Sequence, residues 1–403
     1  MKRAYKTEIE PNNVQRTLLL KHAGAARFTW NWGLARRIQE YKETGKSSNA
    51  IEQHRQLNQL KKADFPWMYA VSKAAPQEAL RNLDKACDNF FRRVKKGGKP
   101  GFPKFKSKKS GKNSFRLTGS IRVTATHVKL PRIGWLKLKE RSYIPVDGLH
   151  ILSAAVSETA GRWFVSLQGE QELIVSKAMG EPIGVDLGIK SMAVCSNGQR
   201  FENPKALRKA QKKLRRVQRE LSRRKKSGSN RDKTRRKLAQ VHYRIANIRK
   251  DALHKATSAI TAKTKPDSER PSVIVLEDLN VAGMVKNHHL AQAIVDVGFG
   301  EFRRQTEYKT LWVGEQLMLA PRFFASSKLC SVCGLLNSEL TLADRFWTCT
   351  GCGTFHDRDE NAATNLKSLA YREFPGNVNA CGENVRPEFQ AVLIEARTKH
   401  KAP

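Results

Sequence analysis

The chain has 403 residues, with 75 lysines and arginines against 37 aspartates and glutamates and a formal net charge of +38 at pH 7. This length is typical of two or three domains, and so large a positive excess favours a polyanionic partner, most simply nucleic acid. There is no run of 18 apolar residues and no apolar signal-peptide core behind Met1–Lys6, so we expect a cytoplasmic protein without a membrane partner.

The first predicted elements are an extended segment followed by helices. Residues 1 to about 15 have an extended pattern, and apolar residues then recur at helical spacing over 18–32 and 76–91. We interpret the aromatic residues of these helices as core packing rather than base stacking. Residues 114–175 alternate in short runs between turn signals, which predicts a small β-barrel or sandwich into which the helices are inserted.

Two strongly basic segments are candidate nucleic-acid contacts. In residues 92–112, cations alternate with Phe102 and Phe105, which suits phosphates and stacked bases, although a solvated linker is the alternative. Residues 205–250 contain twenty Lys or Arg against two acids and predict a basic helical hairpin. The candidate contact residues are Lys95, Lys96, Lys99, Lys104, Lys106, Arg215, Arg216, Arg219, Arg223, Arg224 and, beside the first cysteine pair, Lys328.

A single carboxylate interrupts the nearly apolar strand pattern of residues 183–190. An ionised Asp186 buried in such a strand must be neutralised, paired with a cation or bound to a metal. The alternative is an edge strand on which Asp186 faces water. Gly184 lies two residues earlier, and a glycine within a strand pattern predicts the close approach of another backbone or a ligand.

Two further acids follow segment boundaries. The β-branched run 272–276 predicts a buried strand, and it ends at Glu277 and Asp278, where α/β sheets place their chemistry. Asp278 or Asn280 could instead cap a following helix. Asp359 lies in the first turn of a predicted helix, where a carboxylate is also favoured by the helix dipole alone.

Four cysteines form two Cys-x-x-Cys pairs, at Cys330, Cys333, Cys349 and Cys352. Four soft thiolates in two tight pairs, each followed by a glycine, are typical of a tetrahedral zinc site. Because all four ligands are thiolates, we expect a closed, structural Zn²⁺ site.

Asp186, Glu277 and Asp359 could converge from two strands and one helix start. Three carboxylates can hold two Mg²⁺ ions about 3.5–4 Å apart, which activate water on one side of a phosphodiester and stabilise the leaving oxygen on the other. We therefore expect a catalytic magnesium centre, with manganese as the alternative ion.

The order of these motifs along the chain resembles that of the TnpB family of transposon-encoded, RNA-guided nucleases. The resemblance is carried by Arg27–Trp32, Gly98–Phe105, Gly184–Gly188, Leu276–Leu279, Arg322–Cys330, the four cysteines and Asp357–Ala363. Where many relatives have a proline before the Ser-Ser-Lys triplet, this chain has Ala325.

The resemblance implies a multidomain α+β protein. It comprises a β-barrel wedge domain (1–15 and 100–180) with a helical recognition insertion (16–99). An RNase H-like (RuvC) nuclease domain follows (181–325 and 356–372) and contains the basic hairpin of about 205–255. A zinc ribbon is inserted in it (326–355), and a loosely ordered tail follows (373–403). The implied catalytic acids are Asp186, Glu277 and Asp359.

The implied function is cleavage of double-stranded DNA beside a short adjacent motif, directed by a guide RNA from the transposon end. Two alternatives remain: an RNA-guided DNA-binding repressor that does not cut, and a transposase that needs no guide. All three acids are present, which favours cleavage over binding alone. We expect the protein in a bacterial or archaeal cytoplasm, associated with the nucleoid.

Overall fold

The computed structural model describes residues 1–108, 112–172, 175–341 and 343–373. The chain divides into two compact units, residues 1–173 and 174–403. The predicted tail, 373–403, lies outside the described residues except for Glu373, the last residue of a helix. Within the described part of the chain, no helix is both long enough and apolar enough to span a membrane.

The first unit alternates between strand and helix. Its helices are α1 (Asn13–Thr44), α2 (Ala50–Leu60), a short 3₁₀ helix (Pro66–Ala70) and α3 (Ala74–Lys95). Its strands are β1 (Lys2–Glu10), β2 (Ser114–Leu117), β3 (Arg122–Val123), β4 (His127–Leu130), β5 (Gly134–Leu138), β6 (Leu149–Thr159) and β7 (Arg162–Gln171). The predicted strands and the two predicted helical regions are therefore present. The helices do lie between the first strand and the rest.

The strands of the first unit form one antiparallel sheet in the order β2-β6-β7-β1-β5-β4-β3. The N-terminal strand β1 lies between β7 and β5, so the sheet is completed by a strand that precedes the helices in sequence. Its buried face, including Leu117, Leu136 and Val165, packs with Leu19 of α1 and Ala75 of α3. Alternation of buried and exposed side chains is what a sheet with one covered face requires.

The second unit contains a sheet, a basic helical hairpin and a small cysteine-containing hairpin. Its strands are β8 (Ile183–Asp186), β9 (Ser191–Cys195), β10 (Arg200–Glu202), β11 (Val273–Glu277), β12 (Gln316–Ala320), β13 (Phe346–Thr348) and β14 (Phe355–Asp357). Its helices are α4 (Ala206–Arg223), α5 (Ser229–Ile260), α6 (Val281–Met284), α7 (Ala291–Val297), α8 (Phe299–Val313) and α9 (Arg358–Glu373).

The main sheet of this unit has the order β10-β9-β8-β11-β12. Strands β8, β9 and β10 are antiparallel, whereas β8 and β12 each run parallel to β11. A turn at Asn197–Gly198 joins β9 to β10, with Gly198 at a φ of 83°. The central position of β11 explains its continuous apolar run, because both of its faces must be covered.

Two cores cover the faces of this sheet. On one face Ile274 and Leu276 pack with Leu253 of α5 and Phe302 of α8. On the other face Val273 and Val275 pack with Leu366 and Leu369 of α9. The helix that follows the second cysteine pair therefore lies directly on the strand that carries Glu277.

Candidate active site

Asp186 and Glu277 lie at the same edge of the main sheet. Val185 and Leu276 are partners in the parallel pair of β8 and β11, and each acid is the next residue and the last of its strand. Adjacent strands are about 4.8 Å apart, and side chains of paired positions point to the same face. The two carboxylates are therefore neighbours because the strands are in register.

A glycine lets α9 approach this edge. A Cβ at Gly184 would overlap the backbone carbonyl oxygen of Ala363 and the backbone nitrogen of Lys367, so only glycine allows the helix to lie this close to β8. Of the two close approaches expected at Gly184, a backbone or a ligand, the structure shows a backbone, that of α9. Asp359, in the first turn of α9, is thereby brought to the strand end that carries Asp186.

The electrostatics of Asp186 reflect this convergence. Its pKa is raised well above the usual value by burial, and further by repulsion from the carboxylates of Glu277 and Asp359. Arg358 and Arg345 oppose part of this rise. The pKa of Glu277 is also raised by burial, although the Ser326 hydroxyl, which donates a hydrogen bond to Glu277 Oε1 at 2.6 Å, lowers it.

The neighbouring acids have other partners. Asp278 accepts hydrogen bonds from Arg303 at 2.8 Å and Arg322 at 2.7 Å, and these cations lower its pKa. Of the two residues predicted as possible caps of the following helix, Asn280 is the cap, because its side chain accepts the Gly283 N–H at 3.0 Å.

Asp357 is likewise directed to other groups. Its Oδ1 accepts the backbone N–H of Asp359 at 2.9 Å, at the start of α9, and its Oδ2 pairs with Arg200 at 2.9 Å. Glu277 and Asp359, rather than Asp278 and Asp357, therefore face Asp186.

Two arginines lie at this centre, and no local sequence pattern predicts that they contact Asp359. Arg345, which precedes β13, donates from Nη1 to both carboxylate oxygens of Asp359 at 3.2 Å. Arg358 Nη2 lies 3.7 Å from Asp359 Oδ1. These cations therefore lie at the Asp359 carboxylate, beside two acids whose pKa values are raised.

The four cysteines form a compact cluster. Their four sulfurs all lie within 4.8 Å of one another, and they form the group of potential metal ligands found among the described residues. Cys330 Sγ is 3.7 Å from Cys352 Sγ, and Cys333 Sγ is 3.5 Å from Cys349 Sγ. Ligands bound to a tetrahedral ion at about 2.3 Å are about 3.8 Å apart, so the arrangement fits a bound metal.

A histidine missed by the sequence reasoning supports this cluster. His356 Nε2 lies 3.1 Å from Cys330 Sγ, and its buried ring packs against Trp347 at 4.8 Å between centroids. A protonated Nε2 at this position would donate to the sulfur of Cys330 and orient it.

The acid centre also fits divalent cations, on the chemistry of its donors. Carboxylate oxygens are the ligands that Mg²⁺ and Mn²⁺ prefer, and positive charge here would relieve the repulsion that raises the pKa of Asp186. The three acids are less tightly clustered than the four cysteines. Within the described residues, the cysteine sulfurs all lie within 4.8 Å of one another, whereas the carboxylate oxygens of the three acids do not meet this distance.

The basic segment of the first unit is attached to α1. Trp30 Nε1 donates to the carbonyl of Lys104 at 3.0 Å, and Asn31 exchanges two hydrogen bonds with the backbone of Lys106. The Lys106 ammonium lies 3.5 Å from the centroid of the Trp30 ring, and burial lowers its pKa. Lys95, Lys96, Lys99 and Lys104 are exposed. The segment is thus held in place rather than free as a linker.

In the second unit, α4 exposes a cationic groove of about 750 Å³. Five predicted contacts, Arg215, Arg216, Arg219, Arg223 and Arg224, line it together with Lys212 and Glu220. Leu214 and Val217 on the opposite side of α4 are buried. Lys328 differs from the groove residues, because its ammonium donates to the carbonyl of Ser338 at 3.0 Å.

Comparisons with known proteins agree with these features. Residues 170–288 match the model of a family described as "Probable transposase", and residues 299–366 match a "Cas12f1-like, TNB domain". A protein of Streptomyces pristinaespiralis, named "Putative RNA-guided DNA endonuclease", is 34% identical over 97% of this chain and 94% of its own length. The InsQ protein of Escherichia coli (strain K12), with the same description, is 32% identical over 95% of this chain and 94% of its own length.

The chain belongs to the TnpB family. Residues 1–46 of this TnpB protein also match a model described as "Helix-turn-helix domain". In the structure, however, they form strand β1 and the whole of the single continuous helix α1.

A solved structure shares the fold of this TnpB protein. The protein of a Cas12f1–sgRNA–target DNA complex superposes with a TM-score of 0.54 over 91% of this chain and 98% of its own, at 14% identity. The likeness at this identity is one of fold.

Proposed function

We propose that this TnpB protein is an RNA-guided endonuclease that cuts double-stranded DNA beside a short adjacent motif. Its guide is an RNA derived from the transposon end. The names of its relatives support this proposal, and so does the fold it shares with a Cas12f1 complex. The observation that carries it is the convergence of Asp186, Glu277 and Asp359, in which burial and mutual repulsion raise the pKa of Asp186.

Asp186, Glu277 and Asp359 would hold the catalytic Mg²⁺ ions, with Mn²⁺ as the alternative. When bound, the ions supply an activated water and stabilise the leaving oxygen of the phosphodiester. The chain's own groups prepare the ligands. Ser326 fixes one oxygen of Glu277, and Arg345 orients both oxygens of Asp359. These contacts limit how far two of the three carboxylates can rotate away from the site.

The basic surfaces would bind the nucleic-acid backbone. The α4 groove presents five arginines with a single acid among its lining residues, which suits a phosphate chain rather than a small anion. In the first unit, exposed Lys95, Lys96 and Lys99 follow or end α3, and Phe105 is exposed nearby in sequence. Aromatic rings between cations suit stacked bases or sugars.

The four cysteines would hold a structural Zn²⁺ ion in a ribbon formed by residues 326–355. Four thiolates leave no position for a reacting water, so the ion would stabilise rather than react. The buried cluster here is small, consisting of Cys330, Leu340, Trp347 and Cys349, which supports a role for the metal in holding this segment.

The finer domain assignment is part of the same proposal. We assign residues 1–15 and 100–180 to a β-barrel wedge domain and residues 16–99 to a recognition insertion. Residues 181–325 and 356–372 form an RNase H-like (RuvC) domain. The mixed sheet, with three antiparallel strands continued by two parallel ones, supports the last assignment. A nucleic-acid partner implies association with the nucleoid.

The deciding experiment is a cleavage assay. The protein is expressed with RNA from the 3′ end of its own gene and given a plasmid library with randomised bases beside the target. We expect Mg²⁺-dependent double-strand breaks beside one motif, absent in Asp186→Ala. If both proteins bind the RNA and target DNA but neither cuts, the chain is a guided DNA-binding protein. Target binding or cutting that needs no RNA would instead indicate a guide-independent transposase.

A further inference from the structure

Two buried asparagines of α9 hold the loop that carries Cys330. Asn361 Oδ1 accepts the backbone N–H of Ser331 at 2.9 Å, and its Nδ2 donates to the carbonyl of Leu329 at 2.7 Å. The amide of Asn361 thus binds the residues on both sides of the cysteine. Because it uses both its donor and its acceptor, no other side chain of this size reproduces the contact.

Asn365, one turn later on α9, extends this contact toward the acids. Its Nδ2 donates to the carbonyls of Leu329 at 2.7 Å and Ser326 at 2.8 Å. The hydroxyl of the same Ser326 donates to Glu277 Oε1 at 2.6 Å. A continuous set of hydrogen bonds therefore runs from the Cys330 loop through Asn365 and Ser326 to Glu277.

The same helix also carries the third acid. Asp359 lies two residues before Asn361, in the first turn of α9, and α9 packs on β8 at Gly184, two residues before Asp186. Asn361 and Asn365 are only 3% and 4% exposed. Leaving a buried amide or its partners unpaired is costly, so the loop and the helix keep one relative position.

We propose that Asn361 and Asn365 are positioning residues that couple metal occupancy of the cysteine cluster to the geometry of the acid centre. With the cluster loaded, the Cys330 loop is rigid and the asparagines transmit its position to Ser326 and α9. With the cluster empty, the loop loosens and the carboxylates are held less well. This coupling rests on the proposed function, since it requires that the acids bind divalent cations.

The test measures Mn²⁺ binding at the acids as well as cleavage. The full-length protein is prepared with zinc and after zinc removal, and Mn²⁺ affinity is followed by electron paramagnetic resonance, with Asp186→Asn defining binding elsewhere. The variants are Asn361→Asp and Asn365→Asp, which lose the donated hydrogen bonds but little volume. Two variants serve as controls: Thr364→Ala, which loses an intrahelical bond to Glu360, and Leu369→Ala, which loosens the packing of α9 away from the loop.

We expect zinc removal to weaken Mn²⁺ binding of the otherwise unchanged protein on the order of 10-fold. In Asn365→Asp, the affinity is already reduced and zinc removal changes it much less, the signature of two groups in one network. Both asparagine variants release zinc to a chelator faster. They lower kcat for cleavage on the order of 10-fold or more, with little change in KM, because small misplacements of reacting groups are costly.

The results separate this coupling from general stability and from the proposed function. Leu369→Ala should lower the Tm yet keep kcat within about twofold at a temperature where it is folded, and Thr364→Ala should match the parent protein. Asparagine variants that lose only Tm, with Mn²⁺ affinity and kcat unchanged, would overturn the coupling alone. A parent protein without Mn²⁺ binding that depends on Asp186 would overturn the proposed function and the coupling together.

Discussion

At the scale of single residues, the acid centre brings together carboxylates that repel one another. Asp186 is partly buried beside Glu277 and Asp359, and the three groups cannot all ionise without cost in the absence of cations. Such a raised pKa destabilises the metal-free fold at neutral pH, because ionisation is easier in the unfolded chain. This arrangement exchanges stability for affinity toward divalent cations, which is typical of functional sites.

Asp186→Asn should therefore stabilise the metal-free protein. Because the folded pKa of Asp186 is raised, the Tm gain should be small near pH 4, where ionisation of the unfolded chain has only begun to favour unfolding, and should grow as pH rises from there to the folded pKa. Thermal melts in chelator between pH 4 and 8 measure this. Adding Mg²⁺ should raise the Tm of the parent protein and not that of the variant. A gain independent of pH would contradict the assigned repulsion.

Glu315 is a buried acid outside the candidate active site. It is 5% exposed, neither carboxylate oxygen has a hydrogen-bond partner among the described residues, and burial raises its pKa to about 9. Stability should therefore fall as pH rises from the ordinary carboxyl range to about 9.

Glu315→Gln keeps the shape and cannot ionise, so its Tm advantage should grow steadily between pH 5 and about 9. The control is Glu269→Gln, an exposed acid paired with Lys265 at 3.2 Å. Its replacement should give no gain of this kind. If the Tm values of Glu315→Gln and the parent protein changed with pH in the same way, burial would not raise the pKa of Glu315.

At the scale of elements, the strands and helices of the site follow from local sequence, whereas the contacts between them do not. The buried β11 has a continuous apolar run, the strand at Asp186 has a nearby glycine, and the helix opening at Asp359 has an acid in its first turn. Gly184 indicated the close approach of a backbone or a ligand, although not which of the two.

The supporting groups were not predictable in this way. Ser326 and Glu277 are 49 residues apart, and Asn365 reaches the Ser326 backbone across 39. Arg345 and Asp359 are separated by the second half of the cysteine motif. Pairings of this kind depend on where a loop returns after folding, and local propensity carries no information about that. The position of Lys106 over Trp30 was missed for the same reason.

Gly184→Ala tests the helix–strand approach. The added methyl would overlap the backbone of α9 at Ala363 and Lys367, and backbone cannot move aside as a flexible side chain can. We expect a loss of about 3 kcal/mol or more in the free energy of unfolding, together with loss of cleavage.

The matched control for this variant is Gly300→Ala in α8, where a Cβ would have nothing within 4 Å. It should be neutral or stabilising by about 0.5–1 kcal/mol, because alanine favours the helix. Denaturant titration of both variants measures the difference. Equal stabilities would show that α9 does not lie on β8 at Gly184.

At the scale of the whole molecule, we expect nucleic-acid binding to depend more on where the positive charges lie than on their total number. Many cations elsewhere are compensated, as Lys255 is by Asp251 at 2.8 Å and Lys265 by Glu269 at 3.2 Å. The α4 groove has five arginines and a lysine with Glu220 as its one acidic lining residue. Phosphates that displace counterions should therefore bind most strongly at such uncompensated surfaces.

The Arg215→Gln/Arg219→Gln variant should weaken binding of random-sequence duplex DNA and RNA, and the slope of log K against log salt should flatten by about 2, since each lost phosphate contact removes about 0.9. Lys255→Gln/Lys265→Gln removes the same formal charge from cations that are already paired, so its slope should stay close to that of the parent protein. The slopes of both double variants are measured by binding titrations at salt concentrations from about 50 to about 300 mM. If the two double variants flatten the slope equally, binding responds to net charge alone, and the groove has no special part in holding the nucleic acid.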